Sequence, residues 1–437
     1  MRTAYSFARV LSVLAFSLLV SFNTIGQADT SEQSRYAPSA QQFITMVEHN
    51  AQLKRLLIKA IEKAKKINPD KVTNPAQTLE EYYAFIDWAS RAMPWSILRD
   101  SPYSQLYDQI DQSLDYFYFV NDQPLAELKG KGYYNNSLQY HEPYRTWMIN
   151  FTKEWGVYLS KEVSWNDEYY KKALQDERFG LRKGWYEDPS NWKTFNAFFA
   201  RYLKSPDQRP IASPDVPSIV SSPADSKPQG VWKIDKNSHI VHRKGVAIKS
   251  RVFRSIAELI GEGSAYRNAF ANGTLTHTFL DVNDYHRYHF PVDGTIREVR
   301  IIPADDAAGG IITWDPGIKR YVLDSNTPGW QMIETRGCVI IETKEYGLVA
   351  LLPIGMSQVS SVNFEDAVKV GATVKKGDML GYFLFGGSDF VMLFQSKVTF
   401  ALTVPRESEG SYKHVLMGEK YGELSVKSKS RYQGGRI

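Results

Sequence analysis

Three separate stretches of the chain carry the residue types of a nucleophilic site. Ser388 follows Gly387, and far upstream His286 and His289 stand three residues apart. Asp225 follows a Ser-Pro-Ala tripeptide. A hydroxyl is a poor nucleophile until a base takes its proton, and an imidazole needs a carboxylate to fix its tautomer and stabilise its positive charge. Because Gly387 has no Cβ, its backbone permits a close approach. Together these residues predict attack by the serine hydroxyl on the preceding carbonyl, provided that the fold brings them together.

Each stretch also has an ordinary structural interpretation. The run Gly386-Gly387-Ser388-Asp389 separates two apolar stretches, 382–385 and 390–394, and so fits a β-hairpin turn. The two histidines fit a solvated or weakly metal-binding patch, and they would share a face on a helical turn but not on a strand. The Ser-Pro-Ala-Asp segment fits a turn beside a carboxylate. The chemistry is indicated only by the three stretches together.

The elements before these residues are predicted to be helical. Apolar residues recur at helical spacing over 43–61, with Lys and Glu between them. An Asn-Pro-Asp motif at 68–70 ends this helix, and Thr78 with Glu81 resembles a capping box for the next one. We therefore expect a helical N-terminal domain over residues 38–190, with an aromatic-rich core of its own.

The second half is predicted to be rich in β-strands. Six prolines within 204–230 exclude a regular helix there, and short strand-like runs follow. Residues 338–342 and 348–352 form a candidate hairpin, and 368–380 adds two short strands and a turn. The expected fold class is α+β, in which a β-rich domain over 191–437 follows the helical one and carries the candidate catalytic residues.

Composition and the N-terminus bear on compartment and partners. Residues 1–28 have the charged start, apolar core and small-residue end of a secretory signal peptide, with a retained amphipathic anchor as the alternative. The single cysteine, Cys338, excludes an intramolecular disulfide, and we interpret it as a small buried hydrophobe. A net charge of +5 over 437 residues indicates only weak attraction to anionic surfaces. The sequence has no run of Lys and Arg that would indicate binding to nucleic acid. We expect an exported protein, periplasmic or secreted, with peripheral membrane contact left open.

The segments resemble, in order, the motifs of the phosphatidylserine decarboxylase family. Thr194-Phe-Asn-Ala-Phe-Phe-Ala-Arg201 followed by Arg209-Pro-Ile211 is similar to the segment that opens the family's catalytic part. Ser222-Pro-Ala-Asp225 is similar to its Ser-Pro-Ala-Asp-Gly motif, and the eleven residues from Asp284 to Gly294 match its Asp-Tyr-His-Arg motif. Residues 377–394 resemble the segment that ends in Gly-Ser-Thr. The resemblance covers roughly residues 190–425.

The resemblance implies a self-cleaving enzyme that makes its own cofactor. In the implied roles, Asp225 orients His289, which deprotonates Ser388, and the oxygen attacks the Gly387 carbonyl. Elimination and hydrolysis then convert Ser388 into a pyruvoyl group, which condenses with a substrate amine and accepts the electrons released by decarboxylation. The resemblance implies that His286 positions the substrate or handles a proton in that later step. It implies no metal.

Two departures from the family's pattern bear on this reading. Ser226 replaces the glycine of one motif, and Asp389 replaces the threonine of another, beside Gly386 where leucine or glycine is usual. The helical N-terminal half resembles the extra domain of a soluble subgroup that includes decarboxylases of free aromatic amino acids.

The expected function is conversion of phosphatidylserine to phosphatidylethanolamine after cleavage between Gly387 and Ser388. One alternative is a free aromatic amino acid, such as tryptophan, as the substrate of the same mechanism. Another is an unprocessed binding protein that has lost cleavage. A homodimer is expected by analogy alone. The aromatic residues Phe383, Phe385, Phe390 and Phe394 either present an apolar surface to acyl chains or, as alternate residues of strands, belong to the core.

Overall fold

The computed structural model describes most of the chain after residue 35. The described residues are 36–93, 103, 110–129, 136–241, 246–248, 251–253, 255–303, 312–323, 335–355, 362–385, 388–407 and 410–427. The predicted signal peptide and residue Gly387 lie outside them. Residues from Ala37 onward form one compact unit.

The helices lie mainly in the first 200 residues, and their ends carry the signals expected from the sequence. The described helices are α1 (Pro38–Glu48), α2 (Ala51–Ile67), α3 (Leu79–Ala89), α4 (Ile110–Asn121), α5 (Tyr144–Leu159), α6 (Asp167–Ala173), α7 (Phe195–Phe199) and α8 (Ile256–Ile260). Helix α2 ends at Asn68, as predicted. The Thr78 side chain accepts from the Glu81 N–H, and the Glu81 carboxylate accepts from the Gln77 N–H. The reciprocal cap confirms that α3 begins at the capping box.

Aromatic side chains fill the space between these helices. The Phe43 ring of α1 packs edge-on against Tyr82 and Tyr144, with centroids 5.9 and 5.6 Å away. The hydroxyls of these two tyrosines are 3.0 Å apart and both donate to Asn121. The buried polar atoms are thereby satisfied within an apolar core, as buried tyrosines require.

The strands follow in the second half and form antiparallel sheets. They are β1 (Ile219–Ser221), β2 (Lys227–Ile234), β3 (Ile240–Val241), β4 (Val246–Ile248), β5 (Arg251–Phe253), β6 (Thr274–Leu280), β7 (Arg287–His289), β8 (Gly294–Ile302), β9 (Ile312–Asp315), β10 (Arg320–Leu323), β11 (Thr335–Thr343), β12 (Gly347–Gly355), β13 (Val362–Phe364), β14 (Thr373–Val374), β15 (Met379–Phe383), β16 (Ser388–Phe394), β17 (Val398–Leu402) and β18 (Lys420–Val426). The helical segment followed by these sheets confirms the α+β class. Strands β11 and β12 pair as the predicted hairpin, and Cys338 in β11 is buried and unpaired with sulfur.

The largest sheet places β16 in its interior. Among the described strands its order is β14-β8-β11-β12-β16-β6-β2-β3. Every residue of β16 is buried, so both faces of the strand pack against apolar layers. Phe390 and Met392 belong to the core on one face, whereas Val391 and Leu393 belong to the core on the other.

The hairpin interpretation of residues 382–394 is wrong. Strand β15 pairs with β13 and β7 in a three-stranded sheet, whereas β16 pairs with β12 and β6 in the largest sheet. Strand β16 therefore has a hydrogen-bonded neighbour on each edge, and β15 is neither of them. The consecutive strands β15 and β16 therefore belong to two different sheets.

One core joins the end of the helical segment to the sheets. Trp155 and Leu159 of α5 belong to the same buried cluster as Phe195 of α7 and Phe390 of β16. The boundary between residues 190 and 191 stays a prediction.

Candidate active site

Ser388 is the first residue of β16 and is completely buried. Its backbone pairs with Gly355 of β12 on one side and with Leu280 of β6 on the other. The exposed fraction of the residue is 0%. The hydroxyl therefore lies inside the protein at a point fixed by two neighbouring strands, where water does not compete for it.

The imidazole that contacts this hydroxyl is that of His286. Its Nδ1 lies 3.5 Å from the Ser388 Oγ, at the long end of hydrogen-bond distances. Its Nε2 lies 3.0 Å from the Asp281 carbonyl oxygen. Because a carbonyl only accepts, Nε2 carries the proton and Nδ1 presents a lone pair to the serine. Catalytic hydrogen bonds are often long before reaction, so this contact fits a base and its hydroxyl.

The surroundings of His286 keep its ring neutral and fixed in orientation. The ring stacks on Phe199 of α7, with centroids 3.7 Å apart and planes at 20°. Burial holds the pKa of His286 well below its usual value, and the positive charge of Arg201 acts in the same direction. Arg201 donates to the carbonyls of Asn283 and Asp284 at 2.9 and 3.0 Å, which fixes the backbone just before the histidine.

His289 is bound elsewhere. Its Nδ1 donates to the Gly377 carbonyl at 2.8 Å, and its Nε2 lies 3.2 Å from the Tyr285 hydroxyl. Burial lowers the pKa of His289 to about 4. Since His289 lies in strand β7, the two histidines have different neighbours, as the strand alternative predicted.

Asp225 forms a buried ion pair with Arg209. The guanidinium donates from Nε and Nη2 to the two carboxylate oxygens at 3.0 and 2.6 Å, and the Met417 N–H donates at 2.7 Å. Among the described contacts, the orientation of His289 by Asp225 that the resemblance implies is therefore not made by a direct hydrogen bond. The roles of both residues stay predictions.

The motif aspartate Asp284 fixes the loop that carries His286. Its carboxylate accepts from the Asp281 N–H at 2.8 Å and from His414 Nε2 at 2.9 Å. Burial raises the pKa of Asp284 to about 6, although the bond to His414 opposes the rise. Asp284 thus bonds to Asp281 within the loop and to His414 in the segment after β17.

Both departures from the family's pattern have a partner in strand β6. The Ser226 hydroxyl donates to the Ala224 carbonyl at 3.2 Å and accepts from Thr278 Oγ1 at 2.8 Å. Asp389 forms a hydrogen bond with His277 Nε2. Neither His277 nor Thr278 was predicted from the sequence, although a histidine among threonines in a strand-like run is a recognisable signal.

The residue three positions before Ser388 is fixed by the helical segment. Asn196 of α7 accepts from the Phe385 N–H at 3.0 Å, and its amide donates to Ser160 at the end of α5 at 2.8 Å. The Phe385 ring lies 5.5 Å from the rings of Trp155 and Phe199, measured between centroids. Helices α5 and α7 therefore fix the chain on the upstream side of the predicted cleavage site.

The phenylalanines flanking the site belong to the core. Their exposed fractions are 0 to 1%, for Phe383, Phe385, Phe390 and Phe394. The core interpretation is confirmed, and these rings do not offer an exposed surface to acyl chains.

Comparison with known proteins identifies relatives of this chain. The family model described as phosphatidylserine decarboxylase matches residues 195–423. Phosphatidylserine decarboxylase proenzyme 2 of rice is 36% identical over 211 residues, which are 48% of this chain and 30% of the rice protein. The phosphatidylserine decarboxylase proenzyme of Alcanivorax borkumensis is 33% identical over 259 residues, which are 56% of this chain and 84% of that protein. The decarboxylase iboD of Amanita muscaria is 28% identical over 285 residues, 59% of this chain and 79% of the fungal protein. The chain thus spans less than a third of the rice protein but most of the other two.

Proposed function

The chain belongs to the phosphatidylserine decarboxylase family, whose model covers more than half of it, and we propose that it is a self-processing carboxy-lyase. The observation that carries the proposal is the contact between the buried Ser388 hydroxyl and the neutral His286 imidazole. The relatives from rice and Alcanivorax are called proenzymes, which fits a chain that is cut to become active.

The proposed cleavage and conversion use residues of this chain and one water molecule. His286 Nδ1 takes the hydroxyl proton, and the Ser388 oxygen attacks the carbonyl carbon of Gly387 while the peptide nitrogen gains a proton. The peptide bond is thereby replaced by an ester. Loss of the Cα proton of residue 388 expels the Gly387 carboxylate and leaves a dehydroalanine. Water then adds, ammonia leaves, and residue 388 becomes a pyruvoyl group.

The residues present fit a pyruvoyl group at position 388. Ser388 is its precursor, and the strand pairing of that residue with Gly355 and Leu280 would hold the group where the serine now lies. When formed, the pyruvoyl group supplies an electron sink for decarboxylation, as pyridoxal phosphate does elsewhere. His286 would remain beside it with a free lone pair, in a position to move a proton.

The assignment of the base differs from the one that the resemblance implies. His289 was expected to deprotonate Ser388, but its nitrogens face Gly377 and Tyr285, whereas His286 contacts the hydroxyl. We therefore assign proton removal to His286, and the role of His289 in cleavage stays the alternative. Substitution of each histidine separates the two.

Phosphatidylserine is the proposed substrate, with phosphatidylethanolamine as its product. The names of the rice and Alcanivorax relatives support this choice. A free aromatic amino acid stays the alternative, because the Amanita relative is called simply a decarboxylase and the flanking phenylalanines are buried. Purified, processed protein is given phosphatidylserine in micelles and, separately, tryptophan, tyrosine, phenylalanine and serine, and carbon dioxide is measured. Release of carbon dioxide from a free amino acid but not from the lipid would make the amino acid the substrate in place of phosphatidylserine.

A non-catalytic binding protein is the third candidate. Ser226 and Asp389 motivated it, but both residues have hydrogen-bond partners in strand β6 and so are integrated into the fold. Intact mass of the purified protein tests this candidate directly. The proposed function requires a long chain and a short chain that begins at residue 388, whereas one uncut, inactive chain would support binding alone.

Export and membrane contact complete the proposal. We assign the chain to the periplasm or the exterior on the strength of residues 1–28. In the described part of the chain, no helix has the length and apolar character needed to cross a bilayer. Peripheral contact with the membrane is proposed because the proposed substrate is a phospholipid, and a homodimer is proposed by analogy with the family. Cell fractionation tests export and membrane contact, and light scattering of the processed protein tests the dimer.

A further inference from the structure

A buried polar pair lies directly behind the reactive serine. His277 of β6 and Asp389 of β16 are joined by a hydrogen bond between Nε2 and Oδ1, and their side chains are 0% and 1% exposed. The proposed reaction uses neither residue. The pair therefore has no assigned role, although Asp389 directly follows Ser388 in the chain.

Strand geometry puts the pair on the opposite face of the sheet from the serine hydroxyl. Side chains alternate along β16, so Ser388 faces the same side as Phe390, and Asp389 faces the same side as Val391. His277 pairs in register with Val391 and thus shares the face of Asp389. The bond runs diagonally between neighbouring strands, at a separation that long side chains can bridge.

This pair is costly in an apolar layer. Its neighbours on that face include Val391 and Leu275, and Asp389 Oδ2 has no hydrogen-bond partner within the described structure. Burial raises the pKa of Asp389, while the bond to His277 opposes the rise. A hydrophobic pair would fill the same space at lower cost, and in some proteins a buried polar pair fixes the pairing of neighbouring elements instead of adding stability.

We propose that His277 and Asp389 are positioning residues for position 388, because their bond across the sheet fixes the strand at the residue next to the reactive one. The inference rests on the proposed self-cleavage. Before cleavage the bond fixes the register of β16, and a slip of one residue would turn the serine to the wrong face. After cleavage residue 388 becomes a chain end, and chain ends fray unless they are held.

The test compares amide and leucine variants at both positions. Asp389→Asn and His277→Gln each keep one donor and one acceptor across the sheet, whereas Asp389→Leu and His277→Leu remove the bond. Val391→Ala is the matched control, because Val391 lies on the same face and pairs with His277 but carries no polar group. Each protein is made by cell-free synthesis, and cleavage is followed in time on a denaturing gel at several pH values, with the thermal midpoint measured in parallel.

We expect cleavage to slow by about tenfold or more in the leucine variants, a loss typical of misplaced reacting groups, and to recover substantially in the amide variants. The Val391→Ala control should lose stability yet cleave at nearly the wild-type rate. The pH profile of cleavage should differ between Asp389→Asn and the wild type, because the amide replaces a carboxyl group whose pKa is raised by burial.

Two results would overturn the inference. Wild-type cleavage in both leucine variants would show that the bond has no positioning role. Equal slowing in the leucine, amide and control variants, in proportion to lost stability, would show a structural role only. Should the leucine variants not fold, the amide variants and the pH profile decide alone. A wild-type chain that is never cut would instead reject the proposed function, and the inference with it.

Discussion

The guanidinium of Arg209 binds both carboxylate oxygens of Asp225, at 3.0 and 2.6 Å, in a pair whose side chains are 0% and 3% exposed. The Arg209 guanidinium also lies 4.2 Å from the centroid of the Trp185 ring. The carboxylate expected to serve His289 is thus neutralised by a cation sixteen residues upstream. Two-point binding of a carboxylate by arginine gives direction as well as charge, so the pair fixes the Ser-Pro-Ala-Asp segment.

Removal of Arg209 should be strongly destabilising. Arg209→Ala leaves a buried carboxylate without its counter-ion, which we expect to cost about 3–5 kcal/mol of unfolding free energy. Arg297→Ala is the control, because the Arg297–Glu342 pair has a similar length of 2.7 Å but side chains 44% and 49% exposed. That variant should lose about 1 kcal/mol or less. Urea denaturation in the uncut Ser388→Ala background measures both, and equal losses would contradict the buried-pair argument.

Substitution of the two histidines should have unequal effects on cleavage. His286→Gln removes the lone pair that faces Ser388, and we expect a loss of about 100-fold or more in the cleavage rate, as for a missing general base. His289→Gln should slow cleavage less, because His289 contacts Gly377 and Tyr285. Gel time courses of the two variants supply the comparison. If His286→Gln is cut and His289→Gln stays uncut, the role returns to His289.

The link from the helical segment to the site should be required for cleavage. Asn196→Ala removes the acceptor for the Phe385 N–H and the donor to Ser160, so the chain upstream of the cleavage site loses its fixed position. We expect cleavage to slow by about tenfold, with partial recovery in Asn196→Asp, which keeps an acceptor. Asn191→Ala is the control, since Asn191 is exposed and bonds to Glu187. Hydroxylamine, which cleaves esters, tells whether the variant stops before or after the ester forms. If Asn196→Ala is cleaved at the rate of the control, the contact of the helical segment with Phe385 is not needed for cleavage.

Acidification below the ordinary histidine pKa should remove the stability that the buried, neutral His289 contributes. Burial lowers the pKa of His289 from 6.5 to about 4, so the unfolded chain binds the proton more tightly. The contribution of His289 to the free energy of unfolding is complete above pH 6.5 and is lost as the pH falls towards 4. At 1.36 kcal/mol per pKa unit, this contribution is at most about 3 kcal/mol. The buried, neutral His286 acts in the same direction. The raised pKa of Asp284 acts in the opposite direction over the same pH range, so the His289 contribution is measured as a difference between two proteins. Between pH 7.5 and 4, the urea midpoint of Ser388→Ala should fall by more, or rise by less, than that of Ser388→Ala with His289→Gln added. Parallel profiles in the two proteins would mean that His289 is not buried as a neutral group.

The sequence predicted local structure and residue types well, and long-range partners poorly. The capping box at Thr78 and the hairpin of β11 and β12 depend on neighbouring residues, and the structure confirms both. The pairing of His277 with Asp389 joins residues 112 positions apart, which no periodicity reveals. The same holds for β15 and β16, which are adjacent in the chain but belong to different sheets. Tertiary packing selected those partners over the local turn signal.

The interior position of β16 has a consequence for the enzyme once it is cut. The short chain would contribute a strand bonded on both edges to strands of the long chain, and its β18 would stay bonded to β1, with β17 on the other edge of β18. Dissociation of the two chains would then require complete unfolding, so dilution should not separate them. Refolding, by contrast, would become a second-order encounter between two fragments. After self-cleavage the protein would therefore not refold readily, and its lifetime would depend on the rate of unfolding, which is kinetic stability.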